Sequence, residues 1–211
     1  MKEKEIRAIF ERTGAIINGH FVFTSGLHSE TYVNKDAIYP HTTETSTLCY
    51  IIAKAFMNDC VQVVIAPAIG GVILSQWIAY HLSKLTENEV LGVYAEKAED
   101  RNIFVINRGY ANLLPGKNVL VVEDVLTTGG SAKKVIEATR AIGGNVIGLG
   151  ALCNRGNITP QDVADVPRLF ALINVKMDAY AEENCPLCAK NIPINTNVGK
   201  GKEYLARKNQ K

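Results

Sequence analysis

The residues best placed to do chemistry lie in NVLVVEDVLTTGGSAKKVIEATRAIGG, Asn118 to Gly144, where two adjacent acids are followed by Thr-Thr-Gly-Gly-Ser. Gly129 and Gly130 permit positive φ, so successive backbone N–H groups can curl into a concave nest. Ser131 then opens a helix whose first N–H groups lack internal partners, and Thr127, Thr128 and Ser131 add hydroxyl donors. Together these make a phosphate site. It lacks the lysine of a G-x-x-x-x-G-K-[ST] loop and the spacing of G-x-G-x-x-G, which weakens the nucleoside triphosphate and dinucleotide readings. Glu123 and Asp124 would repel a bare polyphosphate, yet carboxylates accept hydrogen bonds from sugar hydroxyls and from Mg²⁺-bound water. A ribose 5-phosphate meets both requirements, with its phosphate in the nest and its 2′- and 3′-hydroxyls on the two acids.

Other segments carry weaker signals. APAIGGV, Ala66 to Val72, also links an apolar strand to a helix, so Gly70 and Gly71 could bring backbone N–H groups against a second anion; a plain tight turn has the same composition. GALCNRGN sets Arg155 at the end of another strand, where a guanidinium could pair bidentately with a carboxylate or simply cap a loop. CPLC, Cys185 to Cys188, is by spacing half of a zinc site. No second ligand pair is evident among Cys49, Cys60, Cys153 or the four histidines, which favours a structural turn or a reduced thiol pair.

These residues need rigid elements to hold them. Ile6, Ile9 and Phe10 mark one face of an N-terminal helix that INGH should end, and HFVFT and ETYVN read as a hairpin. TSTLCYIIAKAFM returns to helix, with Leu48, Ile51, Ile52, Ala55 and Phe56 as its apolar stripe. Strand VQVVIA, helix VILSQWIAYHLSKL, strand VLGVYA and the run IFVINR follow. After them come strand NVLVVED, helix SAKKVIEATRAI and strands NVIGLGALCN and RLFALINV. Apolar strands alternating with helices predict an α/β fold, a parallel sheet covered on both faces, with ligands at the carboxyl ends of the strands.

The whole chain bounds the rest. Its 211 residues, 47% hydrophobic, suit one domain with a real core, and no repeat or linker suggests a boundary. A net charge of +2 with interspersed signs argues against nucleic acid as a partner. No apolar run approaches the roughly 20 residues that span a bilayer, and MKEKEIRAIFERTG has a helical rather than a signal pattern. Five cysteines without an export signal point to reduced thiols and the cytoplasm.

The apolar strand, acid pair and T-T-G-G-S resemble the phosphoribosyl diphosphate (PRPP) signature of the type I phosphoribosyltransferases. The resemblance covers roughly residues 15 to 190. It implies a Mg²⁺–PRPP donor bound by Glu123, Asp124, Val125, Leu126, Thr127, Thr128, Gly129, Gly130 and Ser131, with the first two on the ribose hydroxyls and Thr127 to Ser131 on the 5-phosphate. The loop at Gly70 and Gly71 is similar to the family's pyrophosphate loop. GHFVFTSGLHSETYVNKD resembles the hood strand of orotate phosphoribosyltransferases, with Ser25, Gly26, Ser29, Tyr32 and Asn34 at the motif positions, which implies that Tyr32 lies over a planar base. The same resemblance implies that Arg155 and Thr127 contact orotate. It also implies a single domain, residues 1–211, with a small hood from about 15–40 and the C-terminal tail.

Between VLGVYA and IFVINRGY, EKAEDRN stands where the family has a loop that closes over the substrates, often from a neighbouring subunit, so a homodimer is expected. Lys97 matches the family's lysine, taken as catalytic, and Arg101 is either a basic PRPP contact or part of a solvated charged loop. Glu96 replaces the arginine of many members, leaving Arg101 and Arg108 nearby. Gly70 and Thr24 stand where others carry basic residues. The tail resembles that of a family subtype. The activity implied is transfer of phosphoribose from PRPP to orotate in pyrimidine synthesis, catalysed through Asp124, Glu123 and Lys97 with Mg²⁺ and no direct protein ligand to the metal. A purine or xanthine phosphoribosyltransferase, a regulator of the same fold, or a phosphosugar-binding module remain alternatives.

Overall fold

The computed structural model describes residues 3–98 and 103–208. These form helices α1 (Glu3–Arg12), α2 (Thr42–Phe56), α3 (Val72–Thr86), α4 (Gly130–Ala141), α5 (Pro186–Ala189) and α6 (Gly201–Lys208). The strands are β1 (Ile16–Val22), β2 (His28–Val33), β3 (Val63–Pro67), β4 (Leu91–Lys97), β5 (Phe104–Val105), β6 (Asn118–Leu126), β7 (Asn145–Asn154) and β8 (Leu169–Asn174). Two compact units result, one of Met1–Arg7 with Tyr39–Val175, the other of Ala8–Ile38 with Lys176–Lys211.

The first unit is a six-stranded sheet in the order β5-β4-β3-β6-β7-β8. From β4 to β8 neighbouring strands run parallel. The chain passes outward from β3 to β4, then returns to lay β6 on the other side of β3, so the topological switch point falls between β3 and β6. Connections diverge there and leave a crevice at the carboxyl ends. The loops that follow β3 and β6 are PAIGG and TTGGS.

Alternation explains why these strands are apolar throughout. Val63, Ile65, Val119 and Val121 turn into one buried cluster with Ala132, Val135 and Ile136 of α4. Val64, Ala66, Leu120 and Val122 are equally buried, on the opposite face. Val122 and α2's Ile52 both approach Gly150 of β7, so α2 covers that side. Full burial of such a Val, Leu or Ile is worth about 1.5–3 kcal/mol.

Three sequence expectations change. INGH does not end the first helix; α1 stops at Arg12, and Ile16 to His20 already belong to β1. Gly14, at φ 74°, makes the turn that stops it. On α2 the buried face is Thr45, Leu48, Cys49, Ile52, Ala53 and Phe56, because small Cys49 and Ala53 allow the closest approach, and Ile51 and Ala55 are left half-buried. β5 joins the sheet antiparallel to β4, since the short link from Lys97 to Phe104 cannot hold the crossover a parallel pair requires.

The second unit pairs β1 with β2 antiparallel and joins them to the C-terminal tail. His28 and Tyr180 exchange backbone hydrogen bonds of 2.8 Å, and Ser29 Oγ donates to the Asp178 carbonyl at 2.9 Å. The ring of Tyr32 packs 5.5 Å from Phe21 and 6.4 Å from Phe23.

Candidate active site

Glu123 and Asp124 stand toward the carboxyl end of β6, and both are buried. Backbone N–H groups fix them: Asp124 N donates to Glu123 Oε1 at 3.1 Å and Val125 N to Asp124 Oδ1 at 2.6 Å. Tyr39 Oη lies 3.4 Å from Asp124 Oδ2 and donates to the Gly70 carbonyl at 2.7 Å. One tyrosine thus touches both the acid pair and the loop after β3. An ionised carboxylate offers about four acceptor sites, a chemistry suited to sugar hydroxyls. Neither periodicity nor motif spacing pointed to Tyr39, because its partners lie far from it in sequence.

In the loop from Thr127 to Ser131 the positive φ expected of the two glycines is adopted by Gly129 alone, and Gly130 is already helical. Gly129 adopts φ 72° and caps α4, which begins at Gly130, one residue before Ser131. Lys133 N donates to the Gly129 carbonyl at 2.8 Å and Gly130 N to Thr128 Oγ1 at 3.3 Å. A Cβ on Gly129 would stand 2.7 Å from Val163 Cγ1, so space as well as conformation calls for glycine. Thr127 and Thr128 are exposed. Leu126, named above with the PRPP-binding residues, turns its side chain into the core and offers the site only its backbone. Val125 is half-buried beside it.

A second loop holds the first in place. Arg155 N and Gly156 N both donate to the Leu126 carbonyl, at 3.0 and 3.1 Å. Gly156 is so close that a Cβ there would fall 1.8 Å from the Thr127 carbonyl oxygen. Buried Asn154 closes this turn, donating from Nδ2 to the Ile158 carbonyl at 2.9 Å and accepting from Ile158 N at 3.0 Å. The sequence reading found Arg155 but missed Asn154 and Gly156, for which the dipeptides N-R-G-N were the signal.

On the neighbouring strand, Ala68 N donates to the Ala95 carbonyl at 2.7 Å and Gly71 N to that of Pro67 at 3.1 Å. The Ala68–Ile69 peptide is cis, and Ile69 is 88% exposed. Gly70 and Gly71 precede α3, and the switch point brings their loop beside the acid pair.

Lys97 ends β4, exposed, with Nζ 6.0 Å from the centre of the Phe104 ring. Arg101 lies outside the described residues. Arg108 is committed to Glu96, whose Oε1 accepts from its Nε at 3.2 Å and its Nη2 at 2.8 Å. That bond holds the Glu96 carboxyl below the usual carboxylate range. Tyr32 and Thr24 belong to the second unit. Burial raises the Cys49 thiol, and it pushes Cys153 up to about 11, so neither is a thiolate nucleophile near neutrality. Cys185 and Cys188 do have a second pair of donors, contrary to the sequence reading: His20 and His28 lie against them.

Residues 36–183 match the phosphoribosyl transferase domain. The sheet, switch point and paired loops define a type I phosphoribosyltransferase, an enzyme of pentosyl transfer. The chain is 41% identical to the orotate phosphoribosyltransferase of Pelotomaculum thermopropionicum over 194 residues, 92% of this chain and 95% of that one. It is 36% identical to that of Thermus thermophilus over 190 residues, 90% of this chain and 98% of the other. The crystal structure of orotate phosphoribosyltransferase from Aeropyrum pernix superposes with a TM-score of 0.64 at 25% identity, covering 81% of this chain and 93% of that one. The chain belongs to the orotate phosphoribosyltransferase family.

Proposed function

We propose that this enzyme transfers the phosphoribosyl group of PRPP to orotate, giving orotidine 5′-monophosphate and pyrophosphate in pyrimidine biosynthesis. The observation that carries the reading is the junction at Leu126. Its carbonyl ties the strand end of Arg155 to the start of the phosphate loop, so a carboxylate-binding cation and a phosphoribose cradle share one piece of backbone.

In this reading Glu123 and Asp124 accept hydrogen bonds from the 2′- and 3′-hydroxyls, and Thr127 to Ser131 hold the 5-phosphate. Val125 and Leu126 contribute backbone between them. Backbone N–H groups around Gly70 and Gly71, with Lys97 and Arg101, receive the departing pyrophosphate. Arg155 pairs with the orotate carboxylate beside Thr127, and Tyr32 lies over the base. The orotate nitrogen bonds to C1′ as the C1′–oxygen bond to pyrophosphate breaks, and the nitrogen's proton leaves, with Asp124 as its acceptor. Placement of the reactants and stabilisation of leaving charge supply most of the rate.

Mg²⁺ fits the donor set, since two buried carboxylates held by backbone N–H groups present hard oxygen atoms to a hydrated ion. When bound with PRPP it neutralises pyrophosphate charge. A cytoplasmic homodimer completes the reading. The five free cysteines support the compartment, the loop resemblance supports the dimer, and light scattering tests the latter.

The test follows loss of orotate absorbance with PRPP and Mg²⁺, alongside adenine, hypoxanthine, xanthine and uracil. Arg155→Ala should lower kcat/KM for orotate by at least about 30-fold, the effect of stripping one partner from a buried charged pair. Faster turnover of a purine would reassign the acceptor. PRPP-dependent thermal stabilisation without turnover of any base would make the protein a sensor.

A further inference from the structure

The second unit gathers two imidazoles and two thiols that the transferase chemistry leaves unused. His20 Nε2, His28 Nδ1, Cys185 Sγ and Cys188 Sγ all lie within 4.8 Å of one another. His20 Nε2 is 2.8 Å from His28 Nδ1, 3.7 Å from Cys185 Sγ and 3.8 Å from Cys188 Sγ, and Cys188 Sγ is 3.4 Å from His28 Nδ1. Zn–N bonds of about 2.0–2.1 Å and Zn–S bonds of about 2.3 Å make a tetrahedron with edges of roughly 3.3–3.8 Å. The N–S distances already match, and the N–N edge needs to open by about half an ångström.

The orientation of His20 is also that of a ligand. Its Nδ1 is 2.7 Å from the Ile192 carbonyl. A carbonyl can only accept, so the proton sits on Nδ1 and Nε2 turns a bare lone pair toward the cluster. A second hydrogen bond of this kind commonly fixes the tautomer of a metal-bound histidine. With His20 Nε2 an acceptor, a proton between the rings must come from His28 Nδ1. That leaves His28 Nε2 a bare acceptor, and this buried atom has no hydrogen-bond partner. A cation between the rings takes the place of that shared proton: His28 Nδ1 gives it up to bind the ion, and Nε2 becomes an N–H.

Local folding also serves this convergence. β1 pairs Asn18 with Thr31 but Phe21 with Ser29, so Gly19 and His20 together oppose Glu30 in a β-bulge. In an unbroken ladder His20 would stand opposite Ser29, on the face away from His28. The extra residue moves His20 to the side shared by Val22 and His28. Cys185 and Cys188 flank the first turn of α5, which Pro186 opens.

We propose that His20, His28, Cys185 and Cys188 form a tetrahedral structural zinc site that fastens the β1–β2 hairpin to the C-terminal tail. Two thiolates and two imidazoles select zinc over magnesium, which prefers oxygen. A unit of 67 residues drawn from two distant stretches has a small core of its own, the circumstance in which proteins employ a metal staple.

The experiment measures metal by mass spectrometry on the full chain, purified under reducing conditions, reconstituted with zinc and dialysed, with magnesium in excess throughout. About one zinc per chain should be retained, falling below about a tenth in Cys185→Ser and His28→Ala and unchanged in Cys60→Ser. Removing zinc with a chelator should lower the thermal midpoint by at least about 10 °C, reversibly. Should those variants fail to fold, wild type loaded with Co²⁺ decides, because tetrahedral coordination with thiolate gives intense d–d bands and a sulfur-to-cobalt charge-transfer band. Wild type that retains less than a tenth of an equivalent, an octahedral cobalt spectrum without charge transfer, or a Cys185–Cys188 disulfide in freshly reduced protein would each overturn the site.

Discussion

Gly156→Ala removes no functional group, yet it should disable the enzyme. The new methyl would stand 1.8 Å from the Thr127 carbonyl oxygen, where real contacts of this kind essentially never fall below 3.0 Å. The phosphate loop, or the turn carrying Arg155, must therefore move by at least 1.2 Å. The obstacle is backbone on both sides, so no rotamer change can relieve it. Misplacing reacting groups by about 1 Å can cost about a hundredfold in rate, close to 2.7 kcal/mol of transition-state stabilisation. Steady-state kinetics with PRPP and orotate varied separately should show kcat/KM down by about that factor for both substrates, since both proposed subsites border the contact. Overpacking also costs about 1–3 kcal/mol of stability, so thermal melts must accompany the kinetics. Gly116→Ala is the control. It has φ 72° but nothing within 4 Å of the added methyl, at the far end of β6, so it should lose about 1 kcal/mol of stability and keep full activity. A Gly156→Ala enzyme within threefold of wild type would refute the claim that this contact sets the loop.

Tyr39→Phe removes the hydroxyl that donates to Gly70, and loss of about 1 kcal/mol should raise KM for PRPP about fivefold while leaving that for orotate unchanged. Glu96→Gln should leave the thermal midpoint near that of wild type, because exposed ion pairs contribute little, and should free Arg108. Loss of this negative charge beside Lys97 should lower KM for PRPP several-fold in low salt, and the gain should disappear in high salt. Burial lowers the pKa of His81 below 6.5, against a smaller opposing effect of Ser46, so the folded state favours the neutral ring. Its contribution is present above that value and lost as pH falls below it. Between about pH 7 and 5 the thermal midpoint of wild type should drop further than that of His81→Gln.

The layout of the sheet could be read from the chain because β3, β6 and β7 are apolar on both faces and are separated by helical periods; β7 begins and ends where its residues predict. The strand end at the acid pair and the glycine turn after it were equally legible as local structure, since every group involved is contiguous from Glu123 to Ser131. What escaped is what depends on distant partners. Tyr39 acts through Gly70 and Asp124, Gly156 through Thr127, and the direction of β5 through the length of a link. The meeting of Cys185 and Cys188 with His20 depends on a one-residue bulge, and a bulge leaves hydrophobic alternation almost untouched.

The hydrogen bond from Arg155 N to the Leu126 carbonyl bears on how such an enzyme can evolve. In the function proposed above, acceptor choice falls to a side chain whose own main chain is anchored to the donor cradle. Insertions or deletions around position 155 would drag the cradle with them and forfeit the donor before any new acceptor was gained. Exchanging the side chain alone does not. Descendants that take other bases are therefore expected to keep the length of the segment from Asn154 to Ile158 and to differ in what it carries.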